Sequence, residues 1–337
     1  MQTRSILRDV AEGAGVSLRT ASRVLNDDPR VAAATRARVR EVMAELSYTP
    51  DSMARSLRAG TDATVGLVVE SIADPFFAAL AEAVESAAAE DGRSVLVAST
   101  HRDPERERAV VERMLARRVA GLLVVPAAGD QSWLGASPVP VVMVDRSATG
   151  LQADVVCIDD YQAAFDATSH LVAHGHREIG YVGDAPEVAT SAARLAGYRA
   201  ALAQHGLEVG EEQVHADSPT AQDSRVATRA LLTGQRPPTA LLSAATRCSL
   251  GVVPALHEMG RTDVALVGFG DFAMADSLTP AVTVVDHSPG AVGAAAAARL
   301  SRRISDPALP VETVHVPVRL VERGSGELRP CPPELRS

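Results

Sequence analysis

The sequence predicts an all-α helix-turn-helix headpiece followed by a larger α/β core of two lobes. Three observations lead there. Residues 9–26, DVAEGAGVSLRTASRVLN, carry apolar side chains at Val10, Ala11 and Ala14, and again at Ala21, Val24 and Leu25. That spacing turns one face of each of two short helices inward. From Thr64 the pattern changes to short apolar runs, TVGLVV, SVLVAST, AGLLVVP, VPVVMVD, EIGYVGD, TALLSA and VALVGFGD, alternating with alanine-rich segments of helix length. Such runs are strands of parallel sheets buried on both faces by helices. They are too many for one compact sheet, which predicts two α/β lobes joined near residues 160 and 287.

Within the headpiece, Gly15 can take the left-handed turn conformation that a side chain resists, and Ser17 can cap the next helix by accepting a backbone N–H. The second helix opens at Leu18 and leaves Leu18, Arg19, Thr20, Ser22 and Arg23 facing outward. These side chains can meet base edges or phosphates in a major groove. Any amphipathic helical hairpin shares the periodicity, however, and two arginines on a solvated face mean little alone. A third helix is expected over 35–46, with Val39, Val42, Met43 and Leu46 on one face. Tyr48, Thr49 and Pro50 end it, and Asp51 to Leu57 could form only about two helical turns, a length that is marginal in water by itself.

The chain has 337 residues, 46% of them hydrophobic, with a formal net charge of −9. Residues 1–60 hold 10 Arg against 7 acids, net +3, so the remaining 23 Arg and 35 acids give net −12. A basic end on an acidic body orients a molecule end-first toward a phosphate backbone. The chain has no lysine, so every fixed basic contact must come from arginine. No apolar run is long enough for a membrane span, and the opening MQTRSILRDV lacks the apolar stretch of a signal peptide, so a cytoplasmic protein is expected. Cys157, Cys248 and Cys331 are odd in number and far apart, which suits reduced thiols.

DVAEGAGVSLRTASRVLN resembles the headpiece of the lactose/galactose-repressor (LacI/GalR) family of bacterial transcription regulators. TRARVREVMAELSYTPDSMARSL is similar to that family's third helix and hinge. The likeness continues through DPFF at 74–77, HLVAHGHREIGYVG at 170–183, RLAGYRAAL at 194–202, PTALLSA at 238–244 and VALVGFGD at 264–271, in the family's order. The resemblance implies a periplasmic-binding-protein-like core whose chain crosses between lobes more than once. It places the headpiece at 1–47, the hinge at 48–60, the N-terminal lobe at 61–160 and 288–317, the C-terminal lobe at 161–287 and 318–330, and a tail at 331–337. The helix from Pro289 to Ile304 would return to the first lobe, and the strand around Val318 to Val321 to the second.

The resemblance also implies roles for residues. Operator DNA would be met by Ser17, Leu18, Arg19, Thr20, Ser22, Arg23 and Asn26, with Arg55 and Leu57 from the hinge. Leu18 and Arg19 hold the two positions that choose operator sequence: an arginine donates bidentately to guanine, whereas leucine makes only apolar contact. Leu57 matches the leucine that wedges into the minor groove and kinks the duplex. An effector would lie at the carboxyl ends of the core strands, between the lobes, against Phe76, Phe77, Asp145, Arg194, Thr246 and Asp271. Taken alone, Asp145 and Arg194 fit a helix-cap or ion-pair role equally well. Two departures matter here: Ala245-Thr246 stands where sugar-binding members have Asn-Asp, and Gly270 replaces the first of two acids. The expected effector is therefore sugar-like but less hydroxylated than a hexose, or the core only dimerises and senses nothing.

His170, His174 and His176 have a spacing reminiscent of metal ligands, but no zincin-type glutamate accompanies them, and no metal is expected. Asp159-Asp160 most simply caps a helix. No glycine-rich phosphate loop or nucleophile elbow is present, so neither a cofactor nor an enzyme is expected. The sequence after Val321, ERGSGELRPCPPELRS, cannot supply apolar heptads, which points to a homodimer rather than a tetramer. The partners expected are thus a near-palindromic operator, a small molecule, possibly a carbohydrate by the resemblance, and a second copy of the chain.

Overall fold

A computed structural model describes residues 6–25, 28–46, 48, 64–127, 129–208 and 210–330. The chain divides into two compact units, Met1–Asp62 and Ala63–Ser337.

The first unit is built from α1 (Leu7–Gly13), α2 (Leu18–Leu25) and α3 (Ala33–Glu45). Val10, Ala11, Ala14, Ala21, Val24, Val39 and Val42 form its core. Gly15 takes φ +63° in the turn, and the Thr20 amide donates to Ser17 Oγ at 3.1 Å, as the sequence predicts for turn and cap. At the end of α3 the expectation was too generous. Leu46 is 37% exposed, and Tyr48 packs against the core instead, because its amide donates to the Met43 carbonyl and folds the chain back.

The second unit contains two six-stranded sheets. The first is made from β1 (Thr64–Val69), β2 (Ser94–Ser99), β3 (Leu122–Val124), β4 (Val141–Asp145), β5 (Asp154–Cys157) and, from far downstream, β11 (Thr313–His315). Its order is β11-β5-β4-β3-β1-β2, parallel throughout. The second is made from β6 (Ile179–Val182), β7 (Val214–His215), β8 (Ala240–Ser243), β9 (Ala265–Phe269), β10 (Thr283–Asp286) and β12 (Arg319–Val321), in the order β12-β10-β9-β8-β6-β7. Only β12 runs antiparallel there. Each sheet thus borrows its final edge strand from the C-terminal part of the chain.

Helices α4 (Pro75–Glu90), α5 (Pro104–Ala116) and α10 (Pro289–Ser305) cover the first sheet; α6 (Asp160–Ala173), α7 (Ala189–Gln204), α8 (Ala221–Thr233) and α9 (Thr246–Glu258) cover the second. Asp74, Asp103 and Ser288 each accept a backbone N–H at the start of a helix whose first residue is proline, a residue that lacks the amide a first turn cannot satisfy. Two helix pairs approach closely at glycine. A Cβ on Gly197 in α7 would collide with the Tyr161 carbonyl oxygen of α6, and one on Gly251 in α9 with the Ala221 carbonyl oxygen of α8. Cys157 and Cys248 are free thiols. Among the described residues no helix is long and apolar enough to cross a membrane.

Candidate functional site

In the headpiece, Leu18 is 45% exposed, Ser17 and Arg19 are exposed, and Thr20, Ser22 and Arg23 are half-buried along the same helix. Ser17 Oγ and Thr20 Oγ1 lie 2.9 Å apart, so the cap and the outer face share one hydroxyl pair. Arg23 Nε reaches Asp28 at 3.4 Å, and Arg30 binds the same carboxylate at 2.8 Å. The hydrogen bonds from Arg30 hold the Asp28 carboxyl below its usual range. Asn26, Arg55 and Leu57 lie outside the described residues.

In the core, a cleft with about 450 Å³ free of protein atoms opens at the carboxyl ends of both sheets. Phe76, Phe77, Asp145, Arg194 and Thr246 all line it. Asp271 does not. It caps the amide of Phe272 at 2.9 Å and binds Arg323 at 2.6 Å instead. Gly270, at φ +86°, turns the chain there, and a Cβ at that position would strike Thr246 Oγ1. The two departures from the sugar-binding pattern are therefore sterically coupled: the threonine occupies the space that a side chain at 270 would need.

Arg194 is engaged by the first residue of α6 and by the chain after β8 and at the end of β9. Its Nε donates to Asp160 at 2.7 Å, its Nη1 to the Ala244 carbonyl at 2.8 Å, and its guanidinium lies 3.9 Å from the Phe269 ring centroid. Asp160 is thus more than a cap, a role that belongs to Asp159. Asp145, at φ 72°, ends β4 in the left-handed region, an unusual conformation for a residue with a side chain. Burial pushes its carboxyl up to about 6.

Of the charges that meet between the lobes, the residues named from the sequence include only Asp145. Glu70 follows β1, and Asp184 follows β6 on the opposite sheet. Arg102, held with His101 in consecutive left-handed conformations (φ 63° and 54°), binds both Glu70 and Asp184. Arg146 joins Glu70 at 3.0 Å to Asp145 at 3.1 Å. Arg247, in the first turn of α9, reaches across to Asp74 at 3.0 Å and Glu70 at 3.4 Å, and also binds Asp184. His287 lies between the rings of Phe76 and Phe269, with centroids 4.8 and 5.5 Å away. Burial pushes its imidazole down to about 3, so it is neutral, and its Nδ1 finds no hydrogen-bond partner among the described residues.

The other histidines have structural partners. The His170 and His174 rings lie tilted to each other with centroids 4.4 Å apart, His170 meets Glu327 at 2.7 Å, and His176 meets Thr239 and the Leu328 carbonyl, each at 2.8 Å.

Residues 6–51 match the family model for bacterial regulatory proteins of the LacI family. Residues 62–323 match that for periplasmic binding proteins and the sugar-binding domain of the LacI family. The chain is 33% identical over 307 residues to the transcriptional regulator GalR of Escherichia coli (strain K12), covering 89% of each. It is 31% identical over 327 residues to the repressor PurR of Klebsiella pneumoniae (strain 342), covering 95% of this chain and 96% of the relative. Among solved structures, the lac repressor dimer bound to operator and the anti-inducer ONPF superposes with a TM-score of 0.86 at 28% identity, over 96% of this chain and 99% of the other. With a helix-turn-helix unit, a two-sheet core and relatives of the same architecture over nearly the full length, this chain is a DNA-binding transcriptional regulator and belongs to the LacI family.

Proposed function

We propose that the protein is a dimeric repressor of a near-palindromic operator, controlled by a small molecule held between the core lobes. The lobes are 61–160 with 288–317 and 161–287 with 318–330. The observation that carries the reading is the cleft itself, where side chains from the strand ends of both sheets converge, the place where α/β architectures bind ligands. Phe76, Phe77, Asp145, Arg194 and Thr246 line it. Any ligand that changes how the lobes sit alters the placement of two hinges, and so the free energy of ordering them on DNA.

The operator is read by Ser17, Leu18, Arg19, Thr20, Ser22, Arg23 and Asn26, and bent by Leu57 with Arg55 beside it. Arg19→Ala should weaken binding to a genomically selected operator by about 1–3 kcal/mol and relax preference at one base pair. Leu57→Ala should reduce the DNA bend without unfolding either unit. Gel-shift titration and a circular-permutation bending assay check both. A Leu57→Ala protein that bends DNA like the parent would show that the hinge has been assigned wrongly.

A second copy of this chain is the partner we propose for the core. The dimeric lac repressor supports that choice. Light scattering at micromolar concentration should give twice the chain mass, and a monomer would overturn it. One observation favours a core that only dimerises: Arg194 already has partners in Asp160 and the Ala244 carbonyl. Calorimetry with sugars, sugar phosphates and nucleosides separates the two readings, since the dimerisation-only core binds none of them.

A further inference from the structure

We propose that the ligand of the interlobe cleft carries a positive charge, an amino or guanidino group that takes the place of the Arg247 guanidinium among Glu70, Asp74 and Asp184. The inference rests on the ligand-cleft reading given above and adds the ligand's chemical class.

The acids are fixed and cannot turn to water. Glu70 sits directly after β1, Asp74 is bound to the Phe76 amide at 2.9 Å, and Asp184 to the Ala185 amide at 2.8 Å. The Glu70 and Asp184 side chains are only 8% and 2% exposed. Arg247 is held less well. Its Nε is buried with no hydrogen-bond partner among the described residues, and its place in the first turn of α9 sets a cation against the positive end of the helix. It also belongs to the opposite lobe from Glu70 and Asp74, so parting the lobes to admit a ligand withdraws it from both. Glu70 then keeps Arg102 and Arg146, whereas Asp74 keeps only the Phe76 amide, so a ligand enclosed there meets a carboxylate that has lost its cation.

Charge balance points the same way. The connected ion pairs at the cleft comprise the four acids Glu70, Asp74, Asp145 and Asp184 against the three arginines Arg102, Arg146 and Arg247, and the separate Arg194–Asp160 pair adds no net charge. An anionic ligand adds to the excess, and a neutral polyol donates hydrogen bonds without offsetting it. A cation does both.

His287 is an independent sign that the cleft awaits a donor. It lines the same cavity, is 6% exposed, and holds Nδ1 unpartnered on a neutral ring. In the tautomer with the proton on Nε2, Nδ1 accepts a hydrogen bond from an ammonium. The face of Phe76 beside it covers the less polar part of the ligand.

Calorimetry on the full chain tests this with D-glucosamine and D-galactosamine, each beside its N-acetylated form, with putrescine beside its N,N′-diacetylated form, and with agmatine, D-glucose, D-galactose and glucose 6-phosphate. At least one amine should bind about tenfold or more tighter than its acetylated partner and than every neutral or phosphorylated sugar. Asp184→Asn, and independently Glu70→Gln, should bring that pair within about twofold. Circular dichroism and operator binding establish that each variant is folded, and the parent's amine-to-acetamide ratio decides the matter without them. A neutral or phosphorylated sugar that binds more tightly than every amine overturns the charge assignment while leaving the cleft as a ligand site. Binding by none of the compounds overturns both.

Discussion

Replacing Arg194 with alanine is expected to lower the unfolding free energy of the core by about 3–5 kcal/mol, the loss typical of breaking a buried ion pair from one side. Arg194 and Asp160 are 7% exposed each, and the Ala244 carbonyl would lose its donor as well. Burial already pushes the Asp160 carboxyl up while Arg194 draws it down. Without the arginine, burial and the like charge of Asp159 are opposed only by the weaker attraction of Arg146, so the carboxylate is left buried without a bonded partner and is driven toward taking up a proton. Denaturant titration followed by circular dichroism measures the loss, and a change below about 1 kcal/mol would contradict the pairing. The double variant Arg194→Ala with Asp160→Ala should recover part of it, because no charge is then stranded. The effector contact that the resemblance implies for Arg194 would by itself make Arg194→Ala lose the ligand response and keep operator binding. Its burial makes it a structural lesion too, and Arg194→Lys, which keeps the charge but loses the planar fork, is the cleaner probe.

The second large effect is steric. Gly197→Val should destabilise the core by about 3 kcal/mol or more, since the added side chain meets a carbonyl oxygen of α6 that is itself held in a helix. Valine has better helix propensity than glycine, so an isolated helix would respond in the opposite direction. The sign of the change therefore reports whether α6 and α7 touch at this point. Gly290 supplies the control: nothing lies within 4 Å of a Cβ built there, and Gly290→Ala should be neutral or stabilise by up to about 1 kcal/mol. Thermal unfolding of the two variants side by side checks both, and equal midpoints would rule out the close approach.

Much of the fold was legible because continuous apolar runs such as TVGLVV and VALVGFGD have few alternatives to a buried parallel strand. The strands that escaped notice are short, with two to four residues each, and in β5 and β10 an aspartate cuts the apolar run shorter still. In β5, Asp154 interrupts the apolar signal, yet it is buried because Arg299 and Arg303 bind it at 2.6 and 2.8 Å. The site was legible to the same degree. Asp145 could be placed by its position at a strand end, and the same rule, applied without regard to resemblance, would have drawn attention to Glu70 after TVGLVV and to Asp184 after EIGYVG. Arg102 and Arg247 gave no such signal, because they come from separate segments and meet only where two lobes face each other. Asp271 shows the converse: adjacency to a strand end in sequence does not fix direction, and the left-handed turn at Gly270 sends it to Arg323.

The borrowed edge strands set what can be exchanged between proteins of this kind. A headpiece ahead of residue 63 is attached by a single stretch of chain, so recombination at one point can replace the DNA reader and keep the sensor. The two lobes have no such seam. A gene fragment ending before residue 313 would leave β5 without β11 and β10 without β12, exposing a raw edge on each sheet at once. New operator specificities can be acquired by grafting, whereas the cleft can be altered only by point substitution inside an undivided core.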